Sequence, residues 1–228
     1  MNGAYIVGGY PDLETYIEVL KILKDSKFDF VEIGLPFNDP VADGPVIAKA
    51  IDETVKKRYR VNEILDPARE ILKDKELYVM TYCNFVYNYS PNIFEGFDGL
   101  IIADCPNRFH SFFYKRGLNI PIIPFVTPET REKDLKLLKN SKGNFIYFIG
   151  LRGTTGGKID FSQKDNFKLI EKVKNITNKK VVWGFGIKNK AHIKEALSIA
   201  DGVIIGTEIV KVQNNIEKLK IFLKSLEF

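Results

Sequence analysis

Short apolar runs alternate with longer amphipathic stretches along the whole chain. The short runs have the length and apolar content of buried strands, whereas the longer stretches repeat their apolar residues with the period of a helix. The runs predict eight strands, at 4–8, 29–34, 77–82, 98–103, 120–125, 144–149, 180–184 and 202–206. The stretches between them predict helices at 13–26, 45–56 with 61–73, 107–116, 129–140, 163–176, 189–199 and 214–226.

This alternation predicts an α/β fold of parallel strands with right-handed helical crossovers. Eight strands are the number that closes a (β/α)8 TIM barrel, so a single barrel domain over residues 1–228 is predicted. A doubly wound open sheet is the alternative. That fold would need a glycine-rich fingerprint after its first strand, and the segment GGYPD at 8–12 has no GxGxxG.

The composition fits a protein that folds around a sizeable core, because 45% of the 228 residues are apolar and 28% are charged. The net charge of +5 suggests an anionic partner. Most of the excess, however, is lysine spread along helical faces without an arginine cluster, so no nucleic-acid partner is predicted. No apolar run is long enough to cross a bilayer and no export signal is visible, so no membrane association is predicted either.

The cysteine and histidine content predicts no metal site. Cys83 and Cys105 form no CxxC pair and are expected to be reduced thiols in the cytoplasm. His110 and His192 are the only histidines, and no metal-ligand spacing is present. Neither a metal ion nor a cofactor is therefore expected.

The segment FVEIGLPFNDPVADGP at 30–45 places a carboxyl group inside an apolar strand. Side chains alternate along a strand, so Glu32 faces opposite to Val31 and Ile33, which suit the layer against the helices. Glu32 is therefore predicted to point into the barrel near its top, where burial raises its pKa toward the range useful for acid–base catalysis. The alternative is a structural glutamate with a basic partner, but no basic residue occupies an obvious strand end.

Asp43 lies in the loop that follows this strand. Aspartates in loops usually form turns or cap helices, and a helix is predicted to open at Pro45. From the residues alone, a capping role and a catalytic role for Asp43 stay equally open.

Glycine turns follow the last two predicted strands, at Gly184-Phe185-Gly186 and at Gly206-Thr207. Loops at these two strand ends form a recurring phosphate site in TIM barrels, and glycine lets backbone N–H groups approach an anion closely. The loop LRGTTGGK at 151–158 reads either as a mobile lid over a phosphorylated ligand or as a flexible surface turn. No lysine ends a barrel strand and no histidine cluster exists, which argues against Schiff-base and metal-dependent aldolases.

The chain resembles the tryptophan synthase α subunit family. The resemblance is most specific at VEIGLPFNDPVADGP and continues, in order, through TYCNFVYNY, LIIADCP, FIYFIGLRGTTG, GFGI and VIIGTEIVK. It extends from about residue 4 to the end of the chain. The glycine turns are shared by many phosphate-binding barrels, whereas the first segment is distinctive.

The resemblance implies a lyase that cleaves indole-3-glycerol phosphate to indole and glyceraldehyde 3-phosphate in tryptophan biosynthesis. It implies that Glu32 and Asp43 are the catalytic residues, and that a tryptophan synthase β subunit is the partner in an α2β2 heterotetramer. It also implies a set of substrate-binding residues: Tyr5, Tyr82, Ile101, Ala103 and Phe125 for indole, Tyr147 near the reacting centre, Thr155 in a lid against Asp43, and Gly156, Gly186, Gly206 and Thr207 for phosphate.

Two departures from the family pattern are visible. Only about three residues precede the first strand, where the family has a helix over the barrel floor, so the barrel is expected to be shortened at its N-terminus. The segment 83–97 is short for the usual helix. Two other functions stay open: a different barrel enzyme acting on a sugar phosphate, and a non-enzymatic barrel that binds and activates a β subunit.

Overall fold

Eight parallel strands form the centre of the molecule in the computed structural model, which describes residues 1–39, 43–150 and 164–226. The strands pair in the order β4-β3-β2-β1-β8-β7-β6-β5. Their bounds are β1 Gly3–Val7, β2 Phe30–Gly34, β3 Glu76–Thr81, β4 Gly99–Ile102, β5 Phe125–Val126, β6 Phe145–Ile149, β7 Lys180–Gly184 and β8 Gly202–Ile205.

The two ends of this order meet beside β4 and close the ring. The Leu100 amide donates to the Pro121 carbonyl at 2.8 Å, and the Ile123 amide donates to the Leu100 carbonyl at 2.9 Å. The predicted TIM barrel is therefore confirmed. At the start of the ring, β1 begins at Gly3, and the Met1 amino group donates to the Asp201 carbonyl at 3.1 Å.

The fifth strand is shorter than the predicted 120–125. Pro121 and Pro124 have no N–H to donate, so the ladder is interrupted and only an isolated bridge between Leu100 and Ile122 precedes β5. The Pro124 carbonyl still accepts from the Tyr147 amide at 2.9 Å. The segment thus keeps its place in the ring through the Ile123 amide and through the carbonyls of Pro121 and Pro124.

Helices lie between the strands on the outside of the ring. Within the described residues they are α1 Leu13–Lys24, α2 Pro45–Val55, α3 Val61–Ile71, α4 Cys83–Asn88, α5 His110–Lys115, α6 Glu132–Leu137, α7 Lys164–Thr177, α8 Lys190–Leu197, α9 Thr207–Gln213 and α10 Ile216–Ser225. None of these helices is long and apolar enough to cross a membrane.

Helices α4, α6 and α9 differ from the sequence expectation, and for α9, at Thr207–Gln213, no separate helix was predicted. The short helix α4 and a 3-10 turn at Pro91–Phe94 occupy the segment 83–97, for which no helix was predicted. Helix α6 begins later than the predicted 129, because Thr127 and Thr130 close a turn first: the Thr127 amide donates to Thr130 Oγ1 at 2.8 Å.

Alternation along the strands divides the core into two layers. Val31 and Ile33 pack outward against the helices, whereas Phe30 and Glu32 point into the barrel. Phe30 meets the Tyr78 ring edge-on at a centroid distance of 5.3 Å, and Phe145 lies 5.5 Å from Phe30. These rings fill the lower part of the barrel and leave its upper part for the site.

A buried glutamine ties α9 to the first strand. Gln213, at the end of α9, is fully buried. Its Oε1 accepts from the Val7 amide at 3.1 Å, and its Nε2 donates to the carbonyls of Val7 and Tyr10 at 2.7 and 2.9 Å. The start of α9 belongs to the upper rim, so this contact fixes the helix relative to β1.

Replacing this glutamine should destabilise the fold. Gln213→Met keeps the length of the side chain but removes the three hydrogen bonds that Gln213 makes to the backbone of Val7 and Tyr10. We expect the free energy of unfolding in urea to fall by at least about 2 kcal/mol. Lys211→Met, on the exposed face of the same helix, should change it by less than about 0.5 kcal/mol. Equal effects of the two substitutions would contradict this account.

Candidate active site

Glu32 is a fully buried carboxyl group at the centre of the upper barrel. It is the third residue of β2, and the parallel register places it beside Tyr5 on one side and Tyr78 on the other. Its relative exposure is 0%, and neither Oε1 nor Oε2 has a hydrogen-bond partner among the described residues. Burial, with a smaller contribution from the Asp43 charge, raises the pKa of Glu32 to about 8.

Asp43 reaches the same space from the loop between β2 and α2. Gly44 is the N-cap of α2, so Asp43 does not cap that helix. Its Oδ2 instead accepts a hydrogen bond from the Tyr82 hydroxyl at 2.5 Å. Burial raises the pKa of Asp43, while the hydrogen bond from Tyr82 acts in the opposite direction.

The two carboxyl groups therefore have different environments. A donor stabilises the ionised form of Asp43, whereas no group in the described part of the chain stabilises an ionised Glu32. Two carboxyl groups whose surroundings push their pKa values apart can divide acid and base roles at one pH.

Both carboxyl groups line one narrow cavity of about 30 Å³ in the mouth of the barrel. Its remaining lining residues come from several strand ends and from the start of two helices: Tyr5, Ile47, Met80, Tyr147, Phe185, Gly186, Ile187, Ile204, Gly206 and Thr207.

The structure brings five of the expected substrate-binding residues to this cavity: Tyr5, Tyr147, Gly186, Gly206 and Thr207. The ring of Tyr147 lies inside the barrel, 5.0 Å from that of Phe125.

The other expected residues lie around the cavity or outside the described residues. Ile101 is buried in the inner layer, and Tyr82 contacts Asp43. Ala103 and Phe125 line a neighbouring depression of about 420 Å³ at the ends of β4, β5 and β6. Thr155 and Gly156 belong to the segment 151–163, which is outside the described residues.

Several lining residues were not identified from the sequence. Met80 and Ile204 face inward by the same alternation that places Glu32, so that signal was available. Ile47 lies one helical turn before Ala50 and Ile51 on the buried face of α2. Phe185 was missed because only the glycines of its turn were considered. Its ring lies 6.0 Å from that of Tyr147.

Two glycines allow the cavity tyrosines to lie against the neighbouring strands. A Cβ atom on Gly34 would lie 2.2 Å from the Tyr5 hydroxyl, and one on Gly184 would lie 1.9 Å from the Tyr147 ring. Any larger residue at either position would displace a tyrosine. The shape of the site thus depends on two missing side chains.

The glycine turn after β7 has an unusual backbone. Phe185 and Gly186 both have positive φ angles, of 72° and 73°. The side chain of His192 contacts the Gly186 carbonyl at 3.1 Å, and the Asn189 side chain accepts from the His192 amide at 3.1 Å. Helix α8 therefore holds this turn against the cavity.

Within residues 1–39, 43–150 and 164–226, no group of three His, Cys, Asp or Glu side chains is arranged to hold a metal ion. The polar groups that line the cavity are two carboxyl groups, the hydroxyls of two tyrosines and of Thr207, and the backbone groups of the glycine turns.

Comparison with known proteins identifies one family. A family model described as tryptophan synthase alpha chain matches residues 4–227. A tryptophan synthase alpha chain of Thermotoga petrophila is 35% identical over 234 residues, which cover 98% of this chain and 95% of the relative. One of Staphylococcus epidermidis is 38% identical over 223 residues, covering 91% and 87%.

Solved structures agree with these relatives. Tryptophan synthase subunit alpha from Campylobacter jejuni superposes with a TM-score of 0.86 at 29% identity, covering 99% of this chain and 95% of that one. A structure described as "Structural basis of mutual activation of the tryptophan synthase a2b2 complex from a hyperthermophile, Pyrococcus furiosus" superposes with a TM-score of 0.83 at 26% identity, covering 99% and 96%.

The raised pKa of Glu32 predicts a pH-dependent stability. The folded chain keeps the Glu32 proton up to about pH 8, whereas the unfolded chain releases it near the ordinary value of 4.5. Between these values the folded state binds more protons, so stability falls as pH rises. Glu32→Gln has no such proton to lose, so its stability should not fall in this way. The difference in melting temperature, variant minus parent, should therefore increase as the pH is raised from 4.5 to 8.

Glu76→Gln is the matched control for this measurement, because Glu76 is exposed at the opposite end of the barrel, where it accepts from the Tyr78 hydroxyl at 2.7 Å. Its melting temperature relative to the parent should not rise over the same pH range. A pH-independent difference between Glu32→Gln and the parent would contradict the burial of an unpartnered carboxyl group.

Proposed function

The chain belongs to the tryptophan synthase alpha chain family, and we propose that it cleaves indole-3-glycerol phosphate to indole and glyceraldehyde 3-phosphate with Glu32 and Asp43 as its catalytic carboxyl groups. It is a carbon–carbon lyase of tryptophan biosynthesis. One observation carries the residue assignment: a buried, unpartnered Glu32 and a hydrogen-bonded Asp43 line the same cavity.

Glu32 is the proton donor of this mechanism. The bond between indole C3 and the glycerol chain breaks in a retro-aldol step, for which C3 must first gain a proton so that the ring can leave. The pKa of about 8 keeps Glu32 protonated near neutral pH. Once it has given up this proton, the Glu32 carboxylate is a base in the same cavity, and it regains a proton when the glycerol hydroxyl becomes the aldehyde. The protons therefore balance without a co-reactant.

Asp43 stabilises the positive charge that develops on the indole ring. Protonation at C3 makes the indole N–H strongly acidic, and an adjacent anion lowers the energy of that state. Tyr82 occupies only Oδ2 of Asp43. Oδ1 has no hydrogen bond from the described residues and is the oxygen that we assign to the indole N–H.

The remaining cavity residues divide between the two ends of the substrate. Tyr5, Tyr147 and Phe185 surround the indole side with aromatic rings, and Ile101, Ala103 and Phe125 extend that side toward β4 and β5. The turns at Gly186 and Gly206-Thr207 bind the phosphate through backbone N–H groups and the threonine hydroxyl. Gly156 and Thr155, outside the described residues, are proposed to complete the phosphate site and the lid.

A tryptophan synthase β subunit is the partner, in an α2β2 heterotetramer. The support is the similarity to the Pyrococcus furiosus alpha subunit, which belongs to such a complex. An exposed aromatic patch is our proposed docking contact. It consists of Tyr87 on α4 and Phe112 on α5, which are 51% and 44% exposed and stack at 6.3 Å, with the Arg116 guanidinium 4.4 Å from the Tyr87 ring. Contiguous exposed apolar surface is common at protein interaction sites.

The non-enzymatic alternative, a barrel that only activates a β subunit, is less well supported, because it gives no role to the costly burial of Glu32. We also propose a cytoplasmic location, which the two free thiols Cys83 and Cys105 support.

Removing the proposed proton donor should abolish most of the activity. Glu32→Gln keeps the shape of the side chain but loses the transferable proton, so indole release from indole-3-glycerol phosphate should fall at least about a hundredfold. The Glu76→Gln control should retain near-parental rates. Near-normal turnover by Glu32→Gln in a folded protein would refute the assignment.

Binding of the β subunit should accelerate indole release, and the aromatic patch should be needed for that acceleration. We expect Tyr87→Glu to weaken β-subunit binding at least about tenfold, because it removes an exposed ring and inserts a charge into the contact. Ile221→Glu is the control, since Ile221 is 67% exposed on α10, away from the patch. Full activity of the isolated chain would contradict activation, and equal binding by the two variants would contradict the docking contact.

A further inference from the structure

We propose that Tyr82 is a positioning residue for Asp43: its hydroxyl group holds one carboxylate oxygen so that the other faces the substrate. This inference rests on the proposed function, because it concerns how one of the two catalytic carboxyl groups is kept in place. It gives Tyr82 a different role from the indole contact that the family resemblance implied.

The contact is short and one-directional. The Tyr82 hydroxyl donates to Asp43 Oδ2 at 2.5 Å, which is typical of a hydrogen bond to a charged acceptor. Tyr82 is buried, with a relative exposure of 3%, whereas Asp43 is only half-buried at the loop. The tyrosine is therefore the fixed member of the pair and the aspartate is the member that it restrains.

The ring of Tyr82 is held by the same loop that carries Asp43. Phe37, between β2 and Asp43, stacks on it with centroids 5.1 Å apart and planes inclined by 19°. The loop thus meets Tyr82 twice, through a stacked ring and through a hydrogen bond. Two contacts from one loop to one side chain define the orientation of that loop more closely than either contact alone.

The backbone of Tyr82 is anchored as well. Tyr82 directly follows β3 and is the N-cap of α4, and its carbonyl accepts from the Val86 amide at 3.2 Å. The next amide, that of Cys83, donates to Asp104 Oδ1 at 2.6 Å in the loop after β4. The hydroxyl that restrains Asp43 is therefore built on β3 and is anchored to the loop after β4.

This arrangement has an electrostatic consequence. A donor on Asp43 stabilises the carboxylate and opposes the rise in its pKa that burial causes. The other titratable groups that share the cavity with Asp43 are Glu32 and the phenolic groups of Tyr5 and Tyr147. Loss of the hydroxyl should therefore favour the protonated, inactive form of Asp43.

Tyr82→Phe is the decisive variant, because it keeps the ring that stacks on Phe37 and removes only the hydroxyl. We expect kcat/KM for indole release to fall about tenfold at neutral pH. The acid limb of the pH–rate profile should move to higher pH, since activity is lost when Asp43 is protonated. Tyr89→Phe, which removes a hydroxyl from a 45%-exposed ring at the end of α4, is the matched control and should change neither quantity.

A double-mutant cycle with Asp43→Asn separates a positioning role from a direct one. If Tyr82 acts through Asp43, then Tyr82→Phe should cause no further loss in the Asp43→Asn background. Titration of the Asp43 carboxyl carbon by NMR, without substrate, should also show a higher pKa in Tyr82→Phe than in the parent. An additive loss, or an unchanged acid limb and an unchanged titration, would overturn the role of Tyr82. Absence of indole release by the parent protein would instead overturn the proposed function.

Discussion

Closure of eight parallel strands into a ring is the constraint on which the rest of the molecule depends. Once the ring is closed, alternate residues of every strand must share one narrow interior. Phe30, Tyr78 and Phe145 fill its lower part with interlocking rings. The upper part then contains Glu32, and the loops at that end supply Asp43 and the glycine turns. The site is therefore the part of the barrel interior that the core side chains leave open.

The burial of Glu32 lowers the stability of the fold and also provides the proton that the proposed reaction needs. An unpartnered carboxyl group in an apolar interior disfavours ionisation, so the folded chain keeps a proton that the unfolded chain would lose. The same preference that weakens the fold as pH rises supplies a proton at neutral pH. The raised pKa of Glu32 thus affects both stability and activity. A substitution that removes the stability penalty of the buried carboxyl group also removes the proton donor.

The sequence predicted those features that depend on local periodicity. Alternation was sufficient to orient Glu32, and the number of strands was sufficient to choose a barrel. The pattern did not predict the bounds of β5 correctly. Pro121 and Pro124 count as apolar residues in the pattern, but they have no N–H to donate to a strand ladder. The role of Asp43 was undecided because a loop aspartate and an N-cap have the same local sequence. Its contact with Tyr82 depends on the distance between two chain segments, which only the folded ring defines.

The prolines beside β4 have a further consequence, which concerns association between molecules. A strand whose neighbour is lost presents unpaired N–H and C=O groups, and such an edge is a template for pairing with another chain. The joint between β4 and the segment before β5 contains only one isolated bridge, at Leu100 and Ile122. If the ring opens at this joint, the exposed segment has no N–H at Pro121 or Pro124. The segment next to this weakly paired position is therefore a poor template for aggregation.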